Sequence, residues 1–287
     1  MKRIFLTLVW VITAAVLGSA QTTGYFPQVA NGIQADGVTW KTTIYITNPA
    51  PLGSAAASGT ITFTASNGSP FAISFVDSNG APAGSENTIS FAISGGQTRK
   101  YVSTGTGALS IGFGTLSASA TVIGTAVFSQ FAAGGALVSE ASVQTSSPSL
   151  RQAIFVDTQS GFDTGLAYAN PNSGPASINL NLLNTEGVAV LPSTTRTLAG
   201  NTQTAGFVRG DFFPTSPAMA GTLQITSSVP VAAVALRFSS AGLFTTLPPI
   251  TLASLLSPAV EWLEQRRWLS PLSSFAKLLG GLQFRLG

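Results

Sequence analysis

The chain reads as all-β: two tandem immunoglobulin-like β-sandwich lobes followed by a short helical C-terminal tail. Three observations predict this. Apolar and polar residues alternate with period two in many short segments, and Gly, Pro, Asn and Ser cluster between them. One segment occurs twice, as Trp40-Lys41-Thr42-Thr43-Ile44-Tyr45-Ile46-Thr47-Asn48-Pro49 and as Phe162-Asp163-Thr164-Gly165-Leu166-Ala167-Tyr168-Ala169-Asn170-Pro171. Charged residues make up only 8% of the chain, against about 25% in typical domains, so Ser, Thr, Asn, Gly and Ala must cover much of the surface.

The first twenty residues read as a secretory signal peptide. Lys2 and Arg3 form a positive start, Ile4 to Leu17 an apolar stretch, and Gly18-Ser19-Ala20 a small-residue exit ahead of Gln21. Secretion or a cell-surface location is therefore expected. A membrane span needs about 20 apolar residues. Val229 to Leu236 is too short and runs into Arg237, so the mature chain is expected to have no span.

Lobe 1 is assigned to residues 24–147. Trp40, Thr42, Ile44 and Ile46 share one face of a strand, with Lys41, Thr43, Tyr45 and Thr47 on the other. Asn48-Pro49 ends it, because proline has no N–H for a ladder. Asn67-Gly68 and Asn79-Gly80 are hairpin signals that bracket an added strand, Phe71 to Asp77. Asn67-Gly68-Ser69 also fits the glycosylation triplet, but a turn is the expected reading.

Lobe 2 is assigned to residues 150–250, after a Ser146-Ser147-Pro148-Ser149 linker. Phe162, Thr164, Leu166 and Tyr168 repeat the inward face, so the core signature is Trp40, Ile44, Ile46, Phe162, Leu166 and Tyr168. Gly95-Gly96 and Gly200-Asn201 each precede a polar strand ending in an aromatic, Tyr101 or Phe207. Gly114-Thr115-Leu116 returns as Gly221-Thr222-Leu223. Gly114 to Phe131 aligns without gaps on Gly221 to Phe238, and a two-residue shift that matches Val122 with Val231 keeps the same residues inward. Seven to nine short strands per lobe suit an immunoglobulin-like sandwich, with a jelly roll as the alternative.

Charge concentrates in residues 256–287, in Glu261, Glu264, Arg266, Arg267, Lys277 and Arg285. Ser257-Pro258 and Ser270-Pro271 read as helix starts. The stripe of Trp262, Leu263 and Leu269, with Trp268 nearby, suits three roles: a membrane-surface helix, a segment docked on lobe 2, or a poorly ordered extension.

Chemistry is bounded by what is missing. No histidine is present, so serine–histidine and cysteine–histidine catalysis have no base. No cysteine is present, so stability must come from core burial. Zinc sites of His and Cys are excluded, and no cofactor is expected. The lobe carboxylates Asp36, Asp77, Glu86, Glu140, Asp157, Asp163, Glu186 and Asp211 are scattered, with no local pair for glycoside cleavage. Asp77-Ser78-Asn79-Gly80 is the nearest approach to a calcium loop and reads as a hairpin turn. Ser274-Phe275-Ala276-Lys277 matches S-x-x-K without the K-T-G that should accompany it. Loss of Lys2 and Arg3 would take the formal net charge from +3 to +1. No basic cluster precedes the tail, so nucleic acid is not an expected partner.

The string Phe26-Pro27-Gln28-Val29-Ala30-Asn31-Gly32, followed by Trp40-x-Thr42 and Asn48-Pro49, resembles secreted tandem β-sandwich proteins of soil bacteria such as the acidobacteria. Arg237-Phe238 and Phe244-Thr245-Thr246-Leu247-Pro248 resemble the end of their second copy. The resemblance covers about residues 25–250 and implies export and fold, without a particular activity. The tail does not resemble that family.

The expectation is a non-enzymatic structural or adhesion module of the cell surface or extracellular space, whose partner is a surface protein or a glycan. A carbohydrate-binding module and a fibre or pilus-like subunit are the alternatives. For a glycan platform the candidates are Tyr25, Tyr45 and Tyr101.

Overall fold

The computed structural model describes residues 22–84 and 86–253. The expected signal peptide and the tail from residue 256 lie outside them. The described residues up to Ile250 belong to one compact unit, and it is all-β.

The first half contains ten strands: β1 (Thr22–Ile33), β2 (Thr39–Thr47), β3 (Ala57–Ala65), β4 (Phe75–Asp77), β5 (Pro82–Ala83), β6 (Thr88–Ile93), β7 (Thr98–Ser103), β8 (Ser110–Ala118), β9 (Ile123–Phe131) and β10 (Leu137–Gln144). One layer runs β6-β3-β8-β1 and the other β5-β4-β7-β2-β9-β10, with the end of β1 crossing over to pair with β2. The Asn79-Gly80 turn joins the added hairpin β4–β5. There Asp77 Oδ1 accepts the backbone N–H groups of Asn79 and Ala81 at 2.8 and 3.0 Å, which is turn chemistry.

The second half contains β11 (Ser149–Asp157), β12 (Phe162–Asn170), β13 (Ala176–Asn184), β14 (Thr194–Leu198), β15 (Thr202–Phe207), a single π-helical turn at Val208–Phe212, β16 (Ala220–Ser239) and β17 (Phe244–Leu247). A two-residue strand, β18 (Ile250–Thr251), follows. Its layers run β14-β13-β16-β11 and β15-β12-β16-β17. Strand β16 serves both layers. Gly221–Ser227 pairs with β13 and Ala232–Ser239 with β12. Pro230 sits at the changeover, where a missing N–H does least harm. In the first half the same path is broken into β8 and β9.

Apart from β4–β5, β18 and the β1–β2 pairing, the strand order is the same in the two halves. It departs from the immunoglobulin order, in which strands A, B, E and D share a sheet. Here the first strand of each half pairs with the sixth segment, and the second strand lies in the other layer. The pairing also decides the register. Gly112 faces Val29 and Ala65, and Gly221 faces Val156 and Asn184. Gly221 therefore corresponds to Gly112, and the two-residue shift is the one the strands adopt. A Cβ on either glycine would come within 2.1 Å (Gly112) or 2.0 Å (Gly221) of a neighbouring backbone oxygen, so the close strand approach requires glycine there.

The repeated motif residues have the same structural duties. The Thr42 hydroxyl donates to the Ala30 carbonyl at 2.8 Å and accepts the Ala30 N–H at 3.1 Å. The Thr164 hydroxyl donates to the Asp157 carbonyl at 3.1 Å and accepts the Asp157 N–H at 2.9 Å. Each threonine is buried and ties the first strand of its half to the second. Asn48 and Asn170 are buried too. Their amides satisfy carbonyls at strand ends and in loops, Ile93 for Asn48 and Gly174, Leu198 and Ala199 for Asn170.

Ile44, Ile46, Leu166 and Tyr168 are buried in the two cores, as the alternation predicts. Trp40 and Phe162 are half-buried at the rims. Trp40 stacks on Phe244, while Phe162 lies 3.3 Å beneath the Arg237 guanidinium, which bridges to Asp157 at 2.7 Å.

The halves share a core. Ala167, Val234 and Phe244 pack into the first-half cluster around Phe26, Ile44 and Phe128. Val231-Ala232-Ala233-Val234-Ala235 is buried without alternation, as expected for a strand covered on both faces. The expected linker is also tied down: Ser146 exchanges backbone hydrogen bonds with Tyr25 at 2.8 and 3.0 Å.

Candidate functional site

From Gly165 to Ala169 the outer face of β12 is made of small residues. Gly165 lies opposite Phe207 on β15 and Leu236 on β16; Ala167 lies opposite Ala205 and Val234. One part of this layer is covered by the first half. The rest lines a cleft of about 320 Å3 with Gln28, Gly165, Ala167, Ala205, Phe207, Asp211, Val234, Leu236 and Phe238 among its walls.

Gln28 belongs to the Phe-Pro-Gln string. The β1–β8 register shifts between Phe26 and Val29, an irregularity that re-aims side chains, and Gln28 faces the second half. Its Oε1 accepts from Gln203 Nε2. Gln203 is itself buried, and its N–H donates to the Ser66 carbonyl at 3.2 Å. Ser66 Oγ lies 2.8 Å from Gln203 Oε1 and 2.9 Å from the Ile111 carbonyl, sharing one proton between them. These polar bonds join the halves beside Gln28 in the cleft wall.

The π-helical turn supplies Asp211 to the cleft wall. Val208 and Phe212 are buried in the second core and fix the turn, so Asp211 projects outward. Its Oδ2 accepts the Phe207 N–H at 2.7 Å, which closes a backbone donor on the edge strand β15. Arg196 donates to the Asp211 carbonyl and lies 4.9 Å over the Phe212 ring.

Phe207 and Phe238 meet edge to face with centroids 5.2 Å apart. Gly165 makes room for them, since a Cβ there would lie 3.0 Å from the Phe238 ring. Phe238 continues to Phe244 at 5.3 Å, and Phe244 to Trp40 at 5.5 Å. A chain of four aromatic rings thus runs from the cleft to the first half.

The three tyrosines proposed as a platform do not share a surface. Tyr101 pairs opposite Ile44 and is 6% exposed within the first core. Tyr45 is 37% exposed on the outer face of β2, with Lys100 Nζ 5.9 Å from its ring centroid. Tyr25 is half-buried on β1 in the other layer. Burial raises the pKa of Tyr101, with Arg99 opposing and Asp77 adding to the shift, and burial alone raises that of Tyr25.

The cleft residues were not among the sequence candidates. The usable signal was the aromatic at the end of each polar strand. Tyr101 lies opposite Ile44, whereas Phe207 lies opposite Gly165, one place from the matching position. A one-residue offset reverses the face, so Tyr101 points inward and Phe207 points into the cleft. Among the described residues, no group of three or more His, Cys, Asp or Glu side chains lies close enough to hold a metal ion. Nor is any described helix long and apolar enough to cross a membrane. No protein-family model and no curated protein matches the chain.

Proposed function

We propose that this chain is an exported, non-enzymatic structural or adhesion module, built from one β-sandwich unit present twice. The observation that carries the reading is the way the halves are joined. Part of the outer face of β12 and of the second part of β16, which could have been solvent-facing, is buried against the first half, where Ala167 and Val234 join its core and Gln203 bonds across the junction. Joined sandwiches resist relative motion and suit load-bearing or presentation. The matched duties of Thr42 and Thr164, and of Asn48 and Asn170, support descent of both halves from one unit.

The test has two parts. Fractionation of the producing cell should place the chain outside the cytoplasm. Cells lacking it should lose attachment to a glycan- or protein-coated surface, with attachment restored by purified mature chain. Turnover on an ester, peptide or glycoside panel, abolished by substitution of a single carboxylate, would overturn the non-enzymatic reading. Concentration-dependent polymers in light scattering would replace adhesion with the fibre-subunit alternative.

A further inference from the structure

We propose that the cleft between the halves binds the terminal ring of a neutral sugar with an apolar face, and that 6-deoxyhexoses fit it best. The proposal rests on the adhesion reading and deepens it by assigning a ligand class and a site.

Size comes first. About 320 Å3 is at the small end of the range for ligand pockets, about 300–1,000 Å3. It suits one ring at the end of a chain.

Shape and polarity narrow the ligand further. The floor of Gly165, Ala167 and Ala205 carries no side chain beyond Cβ and offers no side-chain hydrogen bond. The adjoining Phe207 ring is 41% exposed. The electron-rich face of an aromatic ring attracts the positively polarised C–H groups of a sugar's apolar side.

The polar groups stand apart from this floor. Gln28 has its oxygen engaged by Gln203, which leaves its NH2 to donate. Asp211 has Oδ2 engaged by the Phe207 N–H, which leaves Oδ1 to accept. A sugar hydroxyl can both donate and accept, so a neutral sugar meets both groups.

Other ligand classes leave something unmatched. A hydrocarbon would desolvate the Gln28 NH2 and the Asp211 carboxylate without replacing their water, which disfavours it. An anion would face the Asp211 carboxylate. With its C5–C6 edge laid on the floor, an ordinary hexose would bring its exocyclic hydroxyl to residues that cannot bond it, whereas a 6-deoxyhexose would present a methyl group there.

The experiment is saturation-transfer NMR on the full mature chain with L-rhamnose, L-fucose, D-glucose and cyclohexanol, followed by titration calorimetry. Wild type, Phe207→Ala, Asp211→Asn and Tyr45→Ala are compared, with folding checked by circular dichroism and melting temperature. Saturable binding of a 6-deoxyhexose is expected, tighter than of glucose or cyclohexanol. Phe207→Ala should weaken it by about tenfold or more, Asp211→Asn should weaken it as well, and Tyr45→Ala should leave it unchanged. Absence of saturable sugar binding, binding that survives both cleft substitutions, or tighter binding of cyclohexanol would each overturn the proposal. Attachment of cells that persists with Phe207→Ala would refute the cleft while leaving adhesion through another surface intact.

Discussion

Trp40 of the first half stacks on Phe244 of the second, with ring centroids 5.5 Å apart and planes 25° from parallel. Phe244 also packs against Phe238, which lines the cleft, so it links the junction to the cleft wall. Phe244→Ala should destabilise the protein by about 3–5 kcal/mol, the range for a buried phenylalanine. Urea unfolding followed by fluorescence checks this. A shift below about 1 kcal/mol would mean that the stack carries little of the junction's stability.

Thr42 and Thr164 should behave alike. Thr→Val at either site preserves shape but removes both hydrogen bonds to the backbone of the preceding strand. The buried Ala30 N–H, and likewise that of Asp157, then loses its partner. Each substitution should cost about 1–3 kcal/mol, and Thr→Ser should recover most of the loss. The readout is the urea midpoint at unchanged slope. A neutral Thr164→Val beside a costly Thr42→Val would contradict their shared duty.

Gln203 is buried and bonded to both Gln28 and Ser66. Gln203→Leu keeps the volume and removes those bonds. It should cost about 1–3 kcal/mol and speed amide hydrogen exchange in β1 and β15. Exchange unchanged in both strands would show that the polar bonds do not hold the halves together.

Tyr25, Tyr101 and Tyr168 all have pKa values raised, with burial as the largest cause. For Tyr168 the Arg196 guanidinium partly opposes the shift. The unfolded chain releases these protons near pH 10, about the ordinary tyrosine value, whereas the folded chain retains them. The unfolded state therefore binds fewer protons in that window, and stability falls as pH rises above about 10. Urea midpoints at increasing alkaline pH should decline, with a smaller decline in Tyr168→Phe. An unchanged slope in that variant would contradict the burial assignment.

Much of the fold was legible in the residues. Period-two alternation placed Ile44, Ile46, Leu166 and Tyr168 inward, because a strand exposes alternate side chains to opposite faces. The Asn-Gly and Asn-Pro strings marked turns through backbone preferences that act locally. Strand order was not legible, since pairing depends on contacts distant in sequence. The junction left a faint trace. Gly165, Ala167 and Ala169 on the supposed outer face of β12, and the run from Val231 to Ala235, are small and apolar where a solvated face would carry polar groups. The cleft was missed because its aromatic, Phe207, sits one position away from the match with Tyr101, and adjacent positions face opposite ways.

The two halves form one structural unit through a shared core. Differential scanning calorimetry of the full chain tests this directly. A single transition whose calorimetric and van't Hoff enthalpies agree is the predicted result. Two separable transitions, with Phe244→Ala shifting only the one that belongs to its own half, would contradict it.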